Sequence, residues 1–387
     1  MQRLFIALYA LWRYFLNLFC RKKGLEKHAA IAFSGIFGDA VVVMSALKGY
    51  VELFSQNGWA ITILCRPSVK KFWDEVTDFP HEINVETIDF TKLVNSFSYF
   101  KEIVNRYNDR LELLIVPGSS ISVEMLSTAL NIKRKVGLLT VYQLRWPPHM
   151  VLFKRIAYTE TVTPPFGSMM IQRYRLLLQY LGLPNYKGKL PRIKKQERII
   201  NGRYCVVCPG SSTYIKRWPS EKFAEIVDYI IEKYGWEFHV CGGADEVEDC
   251  RRMIEHSKHS DKIISHVGKT TFSEWSSIVE HAMIVIGNDS ATLHLAVAHR
   301  VKAICIAGVY NKDKFFPYNV DELDDGDLLP ETVYVDMPCR NCQPKGYFHG
   351  YGNKECGDGI KKGDCALCIG QVTVDTVKAK VEKLINI

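Results

Sequence analysis

The sequence predicts an α/β protein made of two doubly wound domains. Three observations carry this. The chain has 387 residues, more than one hydrophobic core usually serves. Short β-rich apolar runs alternate with helical patterns along most of its length, the pattern of parallel sheets with crossover helices. A polar, basic, proline-bearing stretch, "NYKGKLPRIKKQERIINGR", interrupts the alternation near the middle. The expected organisation is an N-terminal segment 1–26, a first domain 27–184, a linker 185–203, a second domain 204–372 with a cysteine-rich part 339–368, and a C-terminal helix 373–387.

The first twenty residues, "MQRLFIALYALWRYFLNLFC", are mostly apolar but broken by Arg3, Arg13 and Asn17, and "RKK" (Arg21 to Lys23) follows. A charge in mid-segment and a barely sufficient length argue against a membrane span. No small-residue cleavage site supports a signal peptide. The segment is expected to be an interfacial helix, with Tyr9, Trp12 and Tyr14 among lipid headgroups and the basic cluster on anionic lipid, so that residues 1–23 meet a membrane surface. The competing reading is a helix packed on its own domain or on a partner.

In the first domain, "AAIAFS" (29–34) predicts a strand and residues 40–56 a helix. "AITIL" (60–64) and "LELLIV" (111–116) are further strands, residues 125–131 the core of a helix, and "RKVGLL" follows it. Residues 169–182 form an amphipathic helix stopped by Gly182-Leu183-Pro184. In the second domain "YCVVC" (204–208) leads to a helix over 219–233, and "EFHVCG" (237–242) to a helix from Ala244. "KIISHVG" (262–268) leads to a helix over 272–281, "MIVIG" to the helix after Ser290, and "KAICIAG" (302–308) is the last clear strand. Residues 373–384 have apolar residues at helical spacing, able to pack on either domain.

Composition is that of a soluble globular protein, 47% hydrophobic and 24% charged. A net charge of +8 suits anionic substrates or a membrane surface. No block of Lys and Arg with interleaved aromatics appears, so no nucleic-acid partner is expected.

Ligands of open α/β sheets bind beyond the carboxyl ends of the strands, and two such domains facing each other would bring those loops to one cleft. Four loops there carry chemistry. "SGIFGDAVV" (34–42) places Asp39 at a helix start, as a helix cap or as a general base. "PGSSTYIKRWP" (209–219) offers Ser211, Ser212 and Lys216, small hydroxyls and a cation suited to a diphosphate, or else a solvated turn. "IVIGNDSATLHLAVA" (284–298) puts Ser290 and Ala291 at a helix N-terminus that favours an anion. There Asp289 repels phosphate, so it suits a sugar hydroxyl or a cap, and His294 is a ligand contact or a core histidine bonded to backbone. "CGGADEVED" offers Glu246 or Glu248 to ribose or adenine, although acids at a helix start explain it nearly as well.

Twelve cysteines fall into two groups. Seven are scattered, several in strand-like runs, as small core residues of a reducing compartment. The other five are Cys339, Cys342, Cys356, Cys365 and Cys368. Two C-x-x-C pairs among them (Cys339/Cys342 and Cys365/Cys368) fit a structural zinc of four thiolates, with Cys356 also available. Disulfides and free thiols are the alternatives. A closed site of that kind would leave no open position for catalysis.

Taken together, "FGD", "PGSS…K-R-W-P" and "GNDSATLHLAVA" resemble, in order and spacing, glycosyltransferase family 9, the ADP-heptose:lipopolysaccharide heptosyltransferases and their relatives, over roughly residues 28 to 380. The resemblance implies a GT-B fold, two Rossmann-like domains with parallel sheets facing a central cleft. It implies an inverting transfer of heptose or a related sugar from a nucleotide-diphosphate donor, an ADP-sugar, to a lipopolysaccharide-type or other lipid-linked acceptor, without a catalytic metal. By position, Asp39 resembles the family's proposed base. Ser211, Ser212 and Lys216 resemble its diphosphate-holding residues, and Asp289, Ser290, Ala291 and His294 its donor-contacting loop. The chain departs in having Ala291 where Gly is common, two Ser for a Thr, and an N-terminal extension. The implied location is cytoplasmic, peripheral at the inner face of the cytoplasmic membrane. The alternatives are a nucleotide-sugar epimerase of similar fold and a non-catalytic sugar-nucleotide-binding protein.

Overall fold

A computed structural model describes residues 2–20, 27–108, 110–118, 120–139, 153–165, 167–309, 312–337 and 365–386. The chain divides into two compact units, Met1–Gly188 and Lys189–Ile387.

The first unit holds strands β1 (His28–Ala32), β2 (Ala60–Cys65), β3 (Ile83–Thr87), β4 (Leu113–Val116), β5 (Arg134–Leu138) and β6 (Glu160–Val162), ordered β3-β2-β1-β4-β5-β6. All pairings are parallel, with Ala30 beside Thr62 on one side and Leu114 on the other. Ala29 to Ala32 are buried, which is why this central strand is a plain apolar run. The helix Phe37–Phe54 packs against Met170–Leu181. Helices Phe97–Tyr107 and Ile121–Ala129 share a core with Ile6 and Ala10 of the N-terminal helix Gln2–Phe19.

The second unit repeats the topology. Strands β7 (Tyr204–Cys208), β8 (Glu237–Val240), β9 (Ile263–Ser265), β10 (Val285–Asn288), β11 (Ala303–Ile306) and β12 (Glu331–Val333) are ordered β12-β11-β10-β7-β8-β9, again all parallel. Phe223, Ile226, Val227 and Ile230 recur at helical spacing on Ser220–Tyr234 and share the core with Val207, Val240 and Ile304. The C-terminal helix Val374–Ile385 belongs to this unit. Its Val377 and Val381 are buried in the same core, each stabilising the fold by about 1.5–3 kcal/mol. Lys380 and Lys383 pair with Glu331 at the sheet edge. The segment after Gly188 is held on the second unit, Lys189 and Arg192 by Asp324, and Gln196 by Glu280 and Ser273.

Among the described residues, three strands and several short helices were not legible in the sequence. β3, β6 and β12 are sheet edges, three to five residues long and only partly buried, so no apolar run marks them. Between β2 and β4, Pro67–Val76 opens on a proline at its first turn, and Asp89 and Ser96 cap Phe90–Leu93 and Phe97–Tyr107.

Candidate active site

In the second unit the chain builds β7, moves outward to β8 and β9, then returns to β10 on the other side of β7. That reversal is a topological switch point, where the loops leaving the two central strands diverge and expose backbone to a ligand. Cys208-Pro209-Gly210-Ser211 and Asn288-Asp289-Ser290 are those two loops, set side by side by the pairing of Val207 with Ile286 and Cys208 with Gly287. The strands approach so closely that a Cβ on Gly287 would lie 1.9 Å from the Cys208 sulfur.

Asn288, wholly buried, joins the loops. Its amide nitrogen donates to the carbonyls of Pro209 (2.6 Å) and Gly210 (3.4 Å), and its amide oxygen accepts from the Trp218 N–H (3.0 Å). Arg217 closes the turn from the other end. Nε donates to the Ser211 carbonyl at 2.9 Å, and its guanidinium pairs with Asp249 at 2.6 Å. Ser211 donates its hydroxyl to the Asp289 carbonyl (3.3 Å), while Ser212 is exposed. With the Pro209, Gly210 and Ser211 carbonyls bound by Asn288 and Arg217, the 209–217 turn is held in one shape.

The charged centre is Lys216 and Asp289, Nζ to Oδ2 at 2.8 Å, both largely buried. Burial alone would raise the Asp289 carboxyl, but Lys216, helped by His294 and Lys314, holds it below the ordinary value. His294 Nε2 lies 3.8 Å from Asp289 Oδ1, and Nδ1 lies 2.8 Å from the Tyr318 hydroxyl. The tautomer protonated on Nε2 satisfies both contacts. Burial pushes His294 down to about 4, against the pull of Asp289, so it is neutral at pH 7. Phe316 stacks on its ring at 4.8 Å.

The structure pairs Lys216 with Asp289, residues that the sequence assigns to phosphate and to a sugar hydroxyl or a cap. His294, weighed as a core histidine bonded to backbone, bonds to a side chain instead. Asp289 does not cap the helix Ala291–Ala298; Ser290 occupies the cap position. Its hydroxyl points to the Cys208 sulfur (3.8 Å) and makes no capping bond, so the first amides of that helix take no side-chain cap. Ala291, partly exposed, is its first residue.

Glu246 follows β8, the neighbour of β7. Its carboxylate accepts from the Gly243 N–H at 2.8 Å, and burial raises its carboxyl above the ordinary range. It also packs on Gly210, where a Cβ would lie 2.6 Å from the Glu246 side chain. Glu246 thus both caps its own turn and packs against the Gly210 end of the turn after β7. In the first unit Asp39 lies in the first turn of Phe37–Phe54, half-buried, beyond the end of β1. Its carboxylate accepts from the Ile36 N–H at 3.3 Å, the capping contact.

Cys339, Cys342 and Cys356 lie outside the described residues. Cys365 and Cys368 flank the start of the short helix Leu367–Gly370 against the second unit's core. Among the described residues no group of three or more potential metal ligands occurs.

Sequence reasoning assigned no role to Asn288, Arg217, Asp249, Tyr318 or Phe316. Asn288 and Arg217 sit inside motifs already singled out, so a count of the loops' backbone partners would have marked them. Tyr318 and Phe316 lie in a stretch without regular structure and carry no local signal.

Residues 103–325 match the model of glycosyltransferase family 9 (heptosyltransferase). The chain is similar to lipopolysaccharide heptosyltransferase 3 of Escherichia coli (strain K12), 25% identical over 158 residues, which are 38% of this chain and 46% of that one. The chain spans about half the length of the curated relatives it matches. In structure it resembles E. coli ADP-heptose lps heptosyltransferase II at a TM-score of 0.65 and 14% identity, covering 93% of this chain and 98% of the other. It also resembles E. coli heptosyltransferase WaaC with ADP-2-deoxy-2-fluoro heptose, at 0.60 and 14%, covering 92% and 99%. These likenesses identify the fold as GT-B.

Proposed function

The chain belongs to glycosyltransferase family 9, and from that premise we propose that it is an inverting glycosyltransferase. It moves heptose or a related sugar from a nucleotide-diphosphate donor, an ADP-sugar, to a lipopolysaccharide-type or other lipid-linked acceptor at the inner face of the cytoplasmic membrane. The observation that carries this reading is the Lys216–Asp289 pair set beside the uncapped start of helix Ala291–Ala298. A diphosphate there meets a cation and helix amides together, the combination that stabilises a leaving anion. The relatives' heptosyltransferase names and the ADP-sugar analogue of the WaaC structure support the donor class.

In this mechanism the acceptor hydroxyl attacks the anomeric carbon opposite the diphosphate. Asp39 takes its proton as the new glycosidic bond forms and the carbon–phosphate-oxygen bond breaks. Lys216, the turn amides after β7 and the first amides of Ala291–Ala298 receive the charge that develops on the diphosphate. Asp289 orients Lys216 and accepts from a sugar hydroxyl through its remaining lone pairs. Glu246 faces the nucleoside. No metal takes part in the chemistry.

The test is transfer from ADP-heptose to a lipopolysaccharide core acceptor, with ADP binding measured by calorimetry. Asp39→Asn lowers the transfer rate by roughly a hundredfold or more while ADP binds as before. Undiminished transfer in that variant removes Asp39 from the role of base. Cys339, Cys342, Cys365 and Cys368, with Cys356 in reserve, are proposed to hold one structural zinc, supported by the C-x-x-C spacing. Elemental analysis of the purified chain finding no zinc would sink that assignment.

A further inference from the structure

Helix Gln2–Phe19 is docked with Arg13 and Asn17 turned inward. Arg13 and Asn17 donate to the Ala129 carbonyl at the end of helix Ile121–Ala129, at 3.4 and 3.1 Å. Arg3 donates to Asn95, and Gln2 accepts from the Phe97 N–H. Ile6 and Ala10, fully buried, share this inward face. Tyr9, expected among headgroups, instead meets the rings of Phe97 and Phe100 edge-on at 5.3 and 6.3 Å.

The opposite face is apolar and open. Phe5, Leu8, Trp12, Phe15 and Phe19 follow one another at steps of three and four residues, one stripe of a helix. Each is more than half exposed, and Phe19 is 87% exposed. Almost half of the exposed large hydrophobic residues described in the chain lie on this one helix. So dense an apolar stripe on a surface marks a binding face.

We propose that this stripe docks the protein on an anionic lipid bilayer, with the helix in the plane of the headgroups; this deepens the lipid-linked acceptor proposed above and rests on it. Three features favour a bilayer over a protein partner. The stripe has one polar group, the Trp12 indole N–H, and so lacks the polar rim that protein interfaces carry. Large aromatics of this kind suit the headgroup boundary. The helix carries no acid, and the sequence runs on covalently into Arg21, Lys22 and Lys23, a charge complement to anionic lipid. Spanning is a separate matter. No described helix is long and apolar enough to cross a membrane, and this one is fastened along its length to helix Ile121–Ala129 and its neighbours.

The experiment is flotation of the purified full chain with vesicles of phosphatidylcholine alone or with 30 mole per cent phosphatidylglycerol (a probe composition set at roughly that of an anionic membrane). Wild type floats with the anionic vesicles. Trp12→Glu/Phe15→Glu lowers the partition coefficient by roughly tenfold or more, and Phe5→Gln/Phe19→Gln lowers it in the same direction. Circular dichroism and ADP binding of both variants match wild type, because the side chains changed face solvent. Failure of wild type to float, equal flotation with neutral vesicles, or unchanged flotation of both variants overturns the proposal. So does a dimer, seen by ultracentrifugation without lipid, that the same variants dissociate. ADP binding without vesicle binding would overturn this surface and leave the glycosyltransferase reading standing; the converse would separate them the other way.

Discussion

Lys216 Nζ lies 2.8 Å from Asp289 Oδ2, so the carboxylate after β10 is paired with the cation of the turn after β7. Each largely buried charge depends on the other. Lys216→Met is expected to cost about 3 kcal/mol in urea denaturation, because it leaves a buried carboxylate unpaired. Its pH dependence also changes sign. In wild type the Asp289 carboxyl is held below its unfolded value near 3.9, so its contribution is present above that pH and lost as pH falls further. Without Lys216, burial dominates and raises the carboxyl, so the variant weakens as pH rises through that range. Lys216→Met/Asp289→Asn recovers most of the stability and none of the ADP affinity. A double variant no more stable than the single would show that the pair is not coupled.

His294 gives a second pH signature. Its folded value is about 4 and its unfolded value about 6.5. Below 6.5 the unfolded chain binds a proton that the buried ring refuses. The stabilising contribution is therefore complete above pH 6.5 and lost between 6.5 and 4, about 3 kcal/mol in all. His239 and His299, pushed down by burial to about 4 and about 3, act in the same direction. Thermal unfolding across this window should show a falling midpoint, with a shallower fall in His294→Gln. Parallel profiles would rule out His294 as a contributor.

Asn288→Ala removes the link between the two loops. It strands the Trp218 N–H and the Pro209 carbonyl in a buried place, at a cost of about 2–4 kcal/mol. The turn that holds Lys216 then loses its fixed shape, so ADP affinity should fall roughly tenfold or more. Calorimetry at a temperature where the variant is folded separates the two effects. Unaltered ADP binding would mean that the loop keeps its shape without Asn288.

Gly287→Ala forces a methyl against the Cys208 sulfur at 1.9 Å and its carbonyl oxygen at 2.8 Å. Strands β7 and β10 would have to part, costing about 3 kcal/mol or more. Cys208→Ala in the same chain relieves only the sulfur contact and should restore part of the loss. Denaturation midpoints of the variants decide this, and no rescue would place the clash on the Cys208 carbonyl and the Leu293 side chain, each 2.8 Å from that methyl.

Much of the second unit could be read directly. β7, β10 and β11 are buried on both faces, so each appears as an unbroken apolar run. The turns after β7 and β10 announced themselves through Gly, Ser, Asn and Asp. Asp39, readable from the sequence at a helix start as a cap or a base, makes the capping contact with the Ile36 N–H. Of the four edge strands, β3, β6 and β12 do not show in the sequence, because a half-buried edge carries polar residues and lacks a run; β9 shows through its Ile263-Ile264 pair.

The sequence by itself determined two rounds of strand and helix, the chemistry of the loops after the strands, and a mostly apolar helix within the first twenty residues, for a membrane surface or for packing on protein. These are local properties, set by periodicity and by side chains within one turn of each other. Tertiary structure alone decided that Lys216 meets Asp289, that Tyr318 meets His294, and that Arg13 and Asn17 turn inward while Trp12 and Phe15 turn out. Lys216 and Asp289 lie in different loops, and they meet because the chain builds β8 and β9 on one side of β7 before laying β10 on the other. A strand order of that kind arises from the closure of the whole sheet, and no window of sequence contains it.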